Sequence, residues 1–571
     1  MAFRFSALLA TPMRAAAVGA GLWVLAHLLI HVPRGWPFPV AGDWDVLLPA
    51  LALAGGAELP SWRGGLAAHE AGLLLLVWLV SMPLRLGVDP VVLARVLALG
   101  FGALTAGSVA ALTHLLVDRE PGRAALGAAL VVAGTLPGWH QVASGLHAST
   151  PEATALALCA VALAAAGGTA RAVVAGLLVG LALVLSPVVA PAVVLLLALT
   201  DARRAALAAF VVTLLAAPLL TSGQAAASGT WLILVASGGG AALEAALTLP
   251  GRALGAAAAG LGASALLGAF TLVALGASAW CVTRGDRRRW LGVGVLLSLL
   301  VALVPPPAYA EYPTAYRYWQ PALLLAAGCF GAAVAALPGR LALVVASVPI
   351  LLFALGPGRL VADRVDTLSE SVFAAAIHRM GPNPRGSHGT FRELAPFAPA
   401  ATRPAFALGY GLMLGHRASA AGLTAPFDHP RWPDLLEAMG DPHAARGLAI
   451  GAGYGLVAPC PVRSAQRAAI GESPRGVREA IYYGVNRALA ERPGPLELVV
   501  PSEDHDRVVA MVGDAARAAG RPWAEVEQLG YPEELLARLE RGYRRPGGGL
   551  WETRLVSELP QLQPSGPCPS E

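Results

Sequence analysis

The chain has 571 residues, 56% of them hydrophobic and 13% charged, and its net charge is +5. So apolar a composition excludes a water-soluble enzyme, and the length excludes a single domain. All 41 basic residues are arginine and are scattered over loops instead of forming one stripe, which argues against a nucleic-acid partner.

In chain order, the first apolar run is Ala15 to Ile30, preceded by Arg4 and Arg14. No small-residue cleavage site follows before Pro33 and Trp36, so the run is expected to stay as an anchor. His27 and His31 are four apart on one face of it; with no third ligand in view, headgroup contact is the expectation. Just beyond comes a carboxylate pair, Asp43-Trp44-Asp45. His69 to Leu86 reads as a re-entrant or juxtamembrane helix. Val96 to Val117 and Ala257 to Cys281 exceed the ~20 apolar residues that cross a bilayer core, and such spans are helical because unpaired backbone cannot face lipid. Arg171 to Thr200 reads as two spans broken at Ser186-Pro187 and Pro191.

Arginine clusters mark the cytoplasmic side of a membrane protein. Here they are Arg119/Arg123, Arg171, Arg203/Arg204, Arg284/Arg287/Arg288/Arg289 and Arg340. With the N-terminus inside, the count is about eleven spans plus the re-entrant helix over residues 1–356, with residues 357–571 outside. The external loops then hold Asp43 and Asp45, the segment His140 to Glu152, the segment Thr221 to Arg252 with Glu244, and the aromatic stretch Tyr309 to Trp319 with Arg317.

The external part is expected to be a small α/β domain. Strand-like runs at Pro404 to Leu408, Gly447 to Val457 and Leu496 to Val500 alternate with helical patterns. The helical patterns cover Arg431 to Arg446, Gly476 to Glu491, Asp504 to Ala519 and Pro532 to Arg541, before a Gly/Pro-rich tail from Pro546. Cys159, Cys281 and Cys329 read as small core residues, while pairing of Cys460 with Cys568 is left open.

Several motifs together resemble the C-type glycosyltransferase fold, and within it the catalytic subunits of oligosaccharyltransferases. They are Gly42-Asp43-Trp44-Asp45, Leu59-Pro60-Ser61-Trp62, Gly145-Leu146-His147 through Glu152, Glu244 before a span, and Tyr316-Arg317-Tyr318-Trp319 opening a late helix. The resemblance implies that the acidic motif binds a divalent metal and orients the acceptor. It further implies that Glu244 contacts metal and substrate, and that Arg317 receives the donor's phosphates. Beyond the membrane, Phe406 to Gly411 stands where the family has Trp-Trp-Asp-Tyr-Gly. Only Tyr410 and Gly411 match, so recognition of the Asn-x-Ser/Thr acceptor is not implied.

Glycan transfer from a polyprenyl phosphate or pyrophosphate needs two things of any enzyme. The leaving phosphate must be neutralised, which an arginine fork or a divalent ion does, and the acceptor must be activated, which a carboxylate does. Arg317 is the candidate for the first need, and Asp43, Asp45 and Glu244 for the second. Asp43, His147, Glu152 and Glu244 would suit Mg²⁺ or Mn²⁺. Partners are then the lipid-linked donor, an extracytoplasmic protein or glycan acceptor, and the bilayer. Two rivals remain open: a transferase using single sugars on a polyprenyl monophosphate, and a scaffold or transporter without catalysis.

Overall fold

The computed structural model describes residues 9–34, 41–56, 70–134, 150–220, 276–303, 314–355, 403–420, 441–457, 470, 475–492, 494–500 and 506–544. The chain divides into two compact units. One comprises Met1–Ala50 with Leu66–Val365, the other Leu51–Gly65 with Asp366–Glu571.

The first unit is a helical bundle, to which the helix beginning at Ala41 contributes its residues up to Ala50. Its helices are α1 (Pro12–Arg34), α2 (Ala41–Ala54), α3 (Glu70–Arg85), α4 (Pro90–Leu116), α5 (Pro121–Gly134), α6 (Thr150–Ala165), α7 (Thr169–Leu185), α8 (Pro191–Leu199), α9 (Arg203–Leu220), α10 (Arg289–Leu303), α11 (Thr314–Ala335) and α12 (Gly339–Leu355). Local chemistry sets the boundaries. Asp89 accepts from the amides of Val91 and Val92 at 2.9 and 3.0 Å, and Pro90 opens α4 behind it. The expected break is present: α7 stops at Leu185, a single 3₁₀ turn covers Pro187–Val189, and α8 restarts at Pro191.

α1 and α4 pack tightly because Gly102 lets the indole of Trp23 lie on its backbone; a Cβ there would fall 2.3 Å from the ring. His27, one turn on, is buried against the Trp23 ring at 3.9 Å, and its Nδ1 sits 2.8 Å from the Trp23 carbonyl. It is therefore a packed interior residue, which corrects the expectation of headgroup contact.

Two described helices, α1 and α4, are long and apolar enough to cross a membrane, and seven further apolar helices are 10–17 residues long. The expected span Ala257 to Cys281 lies outside the described residues except for 276–281, which is helical. Every exposed large hydrophobic side chain among the described residues lies between Met13 and Val348, in the first unit. A wall of outward apolar side chains is what a lipid-facing surface presents.

The second unit overturns the α/β expectation. It contains α13 (Arg403–Ala420), α14 (Pro442–Val457), α15 (Arg475–Glu491), α16 (Asp506–Ala518), α17 (Trp523–Glu527) and α18 (Glu533–Tyr543), with no strand among the described residues. The strand-like runs Pro404 to Leu408 and Gly447 to Val457 are both helical. Glycine disfavours a helix by itself, and here it recurs every fourth residue in α14 to admit the neighbouring backbone: Gly451 lies against the Leu408 carbonyl and Gly455 against that of Leu412. A side chain at either position would occupy the place of that oxygen. Small residues at this spacing clear one helical face for close backbone approach.

Leu496 to Val500 is extended, but a side chain stands in for the neighbouring strand. Buried Asn486 donates to the Val499 carbonyl at 2.8 Å and accepts from the Val499 amide at 2.7 Å. Arginines close the helix ends. Arg492 donates to the Val457 carbonyl at the end of α14, and Arg521 to that of Ala490 in the last turn of α15 and to those of Arg492 and Gly494 just beyond it. Val509, Val512, Val526 and Leu539 form the core that α16, α17 and α18 share.

Candidate active site

The two ends of the first unit differ in chemistry. Arg123 donates to the Leu337 carbonyl at 3.4 Å, Arg287 to that of Ala165 at 3.2 Å, and Arg171 to that of Ala166 at 3.1 Å. A Cβ on Gly167 would lie 3.5 Å from the Asp201 carboxylate, and Gly167 itself turns with φ +72°. These contacts draw the arginine-bearing loops 117–123, 165–171, 200–204, 284–289 and 336–340 to one end of the bundle.

The opposite end therefore collects the starts of α6 and α11 and the break before α8. Glu152 lies in the first turn of α6 and is fully buried. An acid at that position also complements the partial positive charge of the helix N-terminus. Arg317 lies in the first turn of α11. Two residues inward of Glu152 and four inward of Arg317 is a cavity of about 20 Å³. Thr154, Pro191, Leu195, Ser298, Pro321 and Leu325 are among the residues lining it. The Thr154 hydroxyl is buried with no hydrogen-bond partner among the described residues. Pro321 has no amide hydrogen, so it leaves a carbonyl of the first turn of α11 without its intrahelical donor.

Asp43 and Asp45 fall in the first two turns of α2 and not, as expected, in a loop. Six residues separate α1 from α2. That linker reaches at most about 24 Å, less than a bilayer core, so the start of α2 stays within reach of the end where α1 finishes. α1 runs antiparallel to α4, with Ala16 against Gly107 and Trp23 against Gly102, so it finishes at the end holding Glu152. His147, Glu244 and the Leu59 to Trp62 stretch lie outside the described residues. Among the described residues no group of three or more His, Cys, Asp or Glu forms a metal-binding cluster.

Tyr410 and Gly411 lie within α13. Tyr410 is fully buried, and Gly411 is pressed against the Leu448 carbonyl of α14. Packing between helices accounts for both positions. Thr154 and Ser298 belong to no motif, since hydroxyls inside apolar helices leave no spacing signal in a sequence.

An apolar helical bundle of membrane type, with a buried acid and an arginine-bearing helix start at the end opposite an arginine rim, is the class these features define. No family model matches the chain, and no curated protein matches it. Among solved structures it is similar to ArnT from Cupriavidus metallidurans, crystallised bound to undecaprenyl phosphate. The two are 14% identical over 87% of this chain and 83% of that one, with a TM-score of 0.35. These values lie below those that define a shared fold.

Proposed function

We propose that the chain is a membrane glycosyltransferase of C-type fold, moving a glycan from a polyprenyl phosphate or pyrophosphate donor to an acceptor outside the cytoplasm. The observation that carries the reading is the placement of Glu152 and Arg317 at one end of an apolar bundle, above the cavity lined by Thr154 and Pro321. In this reading Arg317 neutralises the leaving phosphate. Asp43, Asp45 and Glu244 orient or deprotonate the acceptor. The arginine rim faces the cytoplasm of a bacterial plasma membrane, and the N-terminus lies on that side.

A divalent metal, Mg²⁺ or Mn²⁺, belongs to the proposal on donor chemistry alone. Asp43, His147, Glu152 and Glu244 supply hard oxygen and imidazole ligands, and of these side chains only Glu152 is among those described. Bound there, the ion would neutralise phosphate charge.

One observation favours a donor carrying a single sugar on a polyprenyl monophosphate. Ala407, Leu408 and Gly409 stand where a sequon-reading Trp-Trp-Asp would be, and α13 buries Ala407 and Leu408.

The test is the pool of polyprenyl-linked glycans in cells lacking the protein, complemented with native chain, with Asp43→Asn/Glu244→Gln, or with Glu152→Gln. Accumulation in the deletion and the variants, cleared by native protein, supports transfer and identifies the donor. An unchanged pool in all strains sinks the reading and moves the scaffold or transporter forward.

A further inference from the structure

Two cysteines that lie far apart in the chain meet inside the first unit. Cys281 belongs to the short helix 276–282 and Cys329 to α11, with 48 positions between them, and both are fully buried and free. The Cys329 thiol donates to the Cys281 sulfur, which in turn lies 4.0 Å from the Cys329 carbonyl. Buried Ser278, one turn before Cys281, donates its hydroxyl to the Cys329 sulfur. Backbone packing holds the short helix in place. Gly292 of α10 lies against the Ser278 carbonyl, from which a Cβ would be only 2.5 Å away. Cys159, by contrast, has Ser108 and no second thiol as its neighbour.

A disulfide spans about 3.5–4.5 Å between its Cβ atoms. A sulfur that meets both the thiol and the backbone of its partner residue is a short side-chain adjustment from that geometry. The pair also lies close to solvent, since Thr283, Arg284 and Gly285, just beyond Cys281, are exposed. Arg288 and Arg284 act electrostatically on the Cys281 sulfur, opposed by Asp286, and cations beside a thiol are a feature of reactive cysteines. Burial keeps out bulky thiols and disulfides, so the oxidant that fits is small and uncharged, of the hydrogen peroxide class.

We propose that Cys281 and Cys329 form a redox modification site, which hydrogen peroxide converts to a disulfide that staples helix 276–282 to α11. The Cys281 sulfur attacks one peroxide oxygen, the O–O bond breaks, and the departing hydroxide takes the thiol proton as water. The Cys329 sulfur then attacks the sulfenic sulfur of Cys281, the S–O bond breaks, and a second water leaves with the Cys329 proton. Two thiols and one peroxide thus give one disulfide and two waters. The site does not depend on the transferase reading.

The full chain in neutral detergent is treated with hydrogen peroxide, quenched, and its remaining thiols are blocked under denaturing conditions. Cleavage after arginine places Cys281 on residues 253–284 and Cys329 on residues 318–340, so mass spectrometry reads the bond directly. The expected product is these two peptides joined, lighter by two hydrogens than their sum and separated again by dithiothreitol. Proximity should make it about tenfold more abundant than in chain unfolded in hot dodecyl sulfate before the same dose. Cys329→Ser should abolish the joined product and leave a Cys281 sulfenic acid that dimedone traps. A native yield no higher than the unfolded one would overturn the site. So would sulfinic or sulfonic acid on the separate thiols without the joined product, or joining to Cys159, Cys460 or Cys568 instead. If the variant does not fold, the peptide map of native protein alone decides among these outcomes.

Discussion

Asn486 holds Val499 as a neighbouring strand would, its side-chain amide donating to the Val499 carbonyl at 2.8 Å and accepting from the Val499 amide at 2.7 Å. One side chain thus satisfies both backbone groups of a residue whose extended segment has no strand beside it among the described residues. The arrangement joins α15 to the segment that follows it and closes the core around Leu496 and Val509.

Replacing Asn486 with Ala removes both bonds and leaves two backbone groups unsatisfied in a partly buried place. The expected loss is about 2–4 kcal/mol in stability of the second unit. Asn486→Asp keeps the acceptor but loses the donor, and should be no better. Denaturant melts of the full chain, followed by the signal of the second unit, check this. A loss below ~0.5 kcal/mol for both variants would show that the pairing contributes little.

Gly455→Ala tests the helical form of the Gly447 to Val457 run. The added Cβ would lie 1.9 Å from the Leu412 carbonyl, a backbone atom that cannot move without parting α13 from α14. The cost should be about 3 kcal/mol or more, against a helix-propensity gain of about 1 kcal/mol. A strand at this position would tolerate alanine, and a melt unchanged from native would favour that alternative.

Burial, followed by the neighbouring Glu491 carboxylate that accepts its hydrogen bond, raises the Tyr454 hydroxyl above the ordinary tyrosine value. Arg487 holds the other oxygen of Glu491 at 2.6 Å. Because the folded pKa is raised, this stabilisation is complete below the unfolded tyrosine pKa of about 10 and is lost as pH rises through the folded value. Tyr454→Phe should cost about 1–2 kcal/mol at neutral pH and flatten the alkaline decline. Parallel alkaline slopes for native and variant protein would refute the coupling.

Asp286 titrates in the other direction. The hydrogen bond from Arg288 is the main cause holding its carboxyl below the usual range. Its contribution is present above the unfolded aspartate pKa of about 4 and disappears as pH falls through the depressed folded value. Asp286→Asn should remove a small acid-sensitive part of the stability of the arginine end, measurable as a shallower loss between about pH 4 and pH 2.

Thr154 separates packing from chemistry at the proposed site. Its hydroxyl is buried and makes no hydrogen bond among the described residues, so Thr154→Val should be neutral or stabilising by about 1 kcal/mol. If the hydroxyl meets substrate directly or through a water held in the cavity, the same variant loses transfer activity while gaining stability. Measuring both on one preparation tells the two roles apart.

The sequence by itself determined the membrane bundle and its polarity. Hydropathy and arginine placement act residue by residue, so the apolar runs, the break at Ser186-Pro187 and the arginine loops were all legible before any packing was known. Contacts such as Arg123 with Leu337, 214 residues apart, then bring those loops to one end. Only the tertiary structure decided that Gly447 to Val457 is a helix. A short apolar run has no periodicity that separates helix from strand, and its glycines show their purpose only when the α13 backbone lies against them. The same holds at the candidate site. That Glu152 is buried, and that Thr154 and Pro321 share a cavity with Pro191, follows from three helices meeting at one end, which no spacing along the chain encodes.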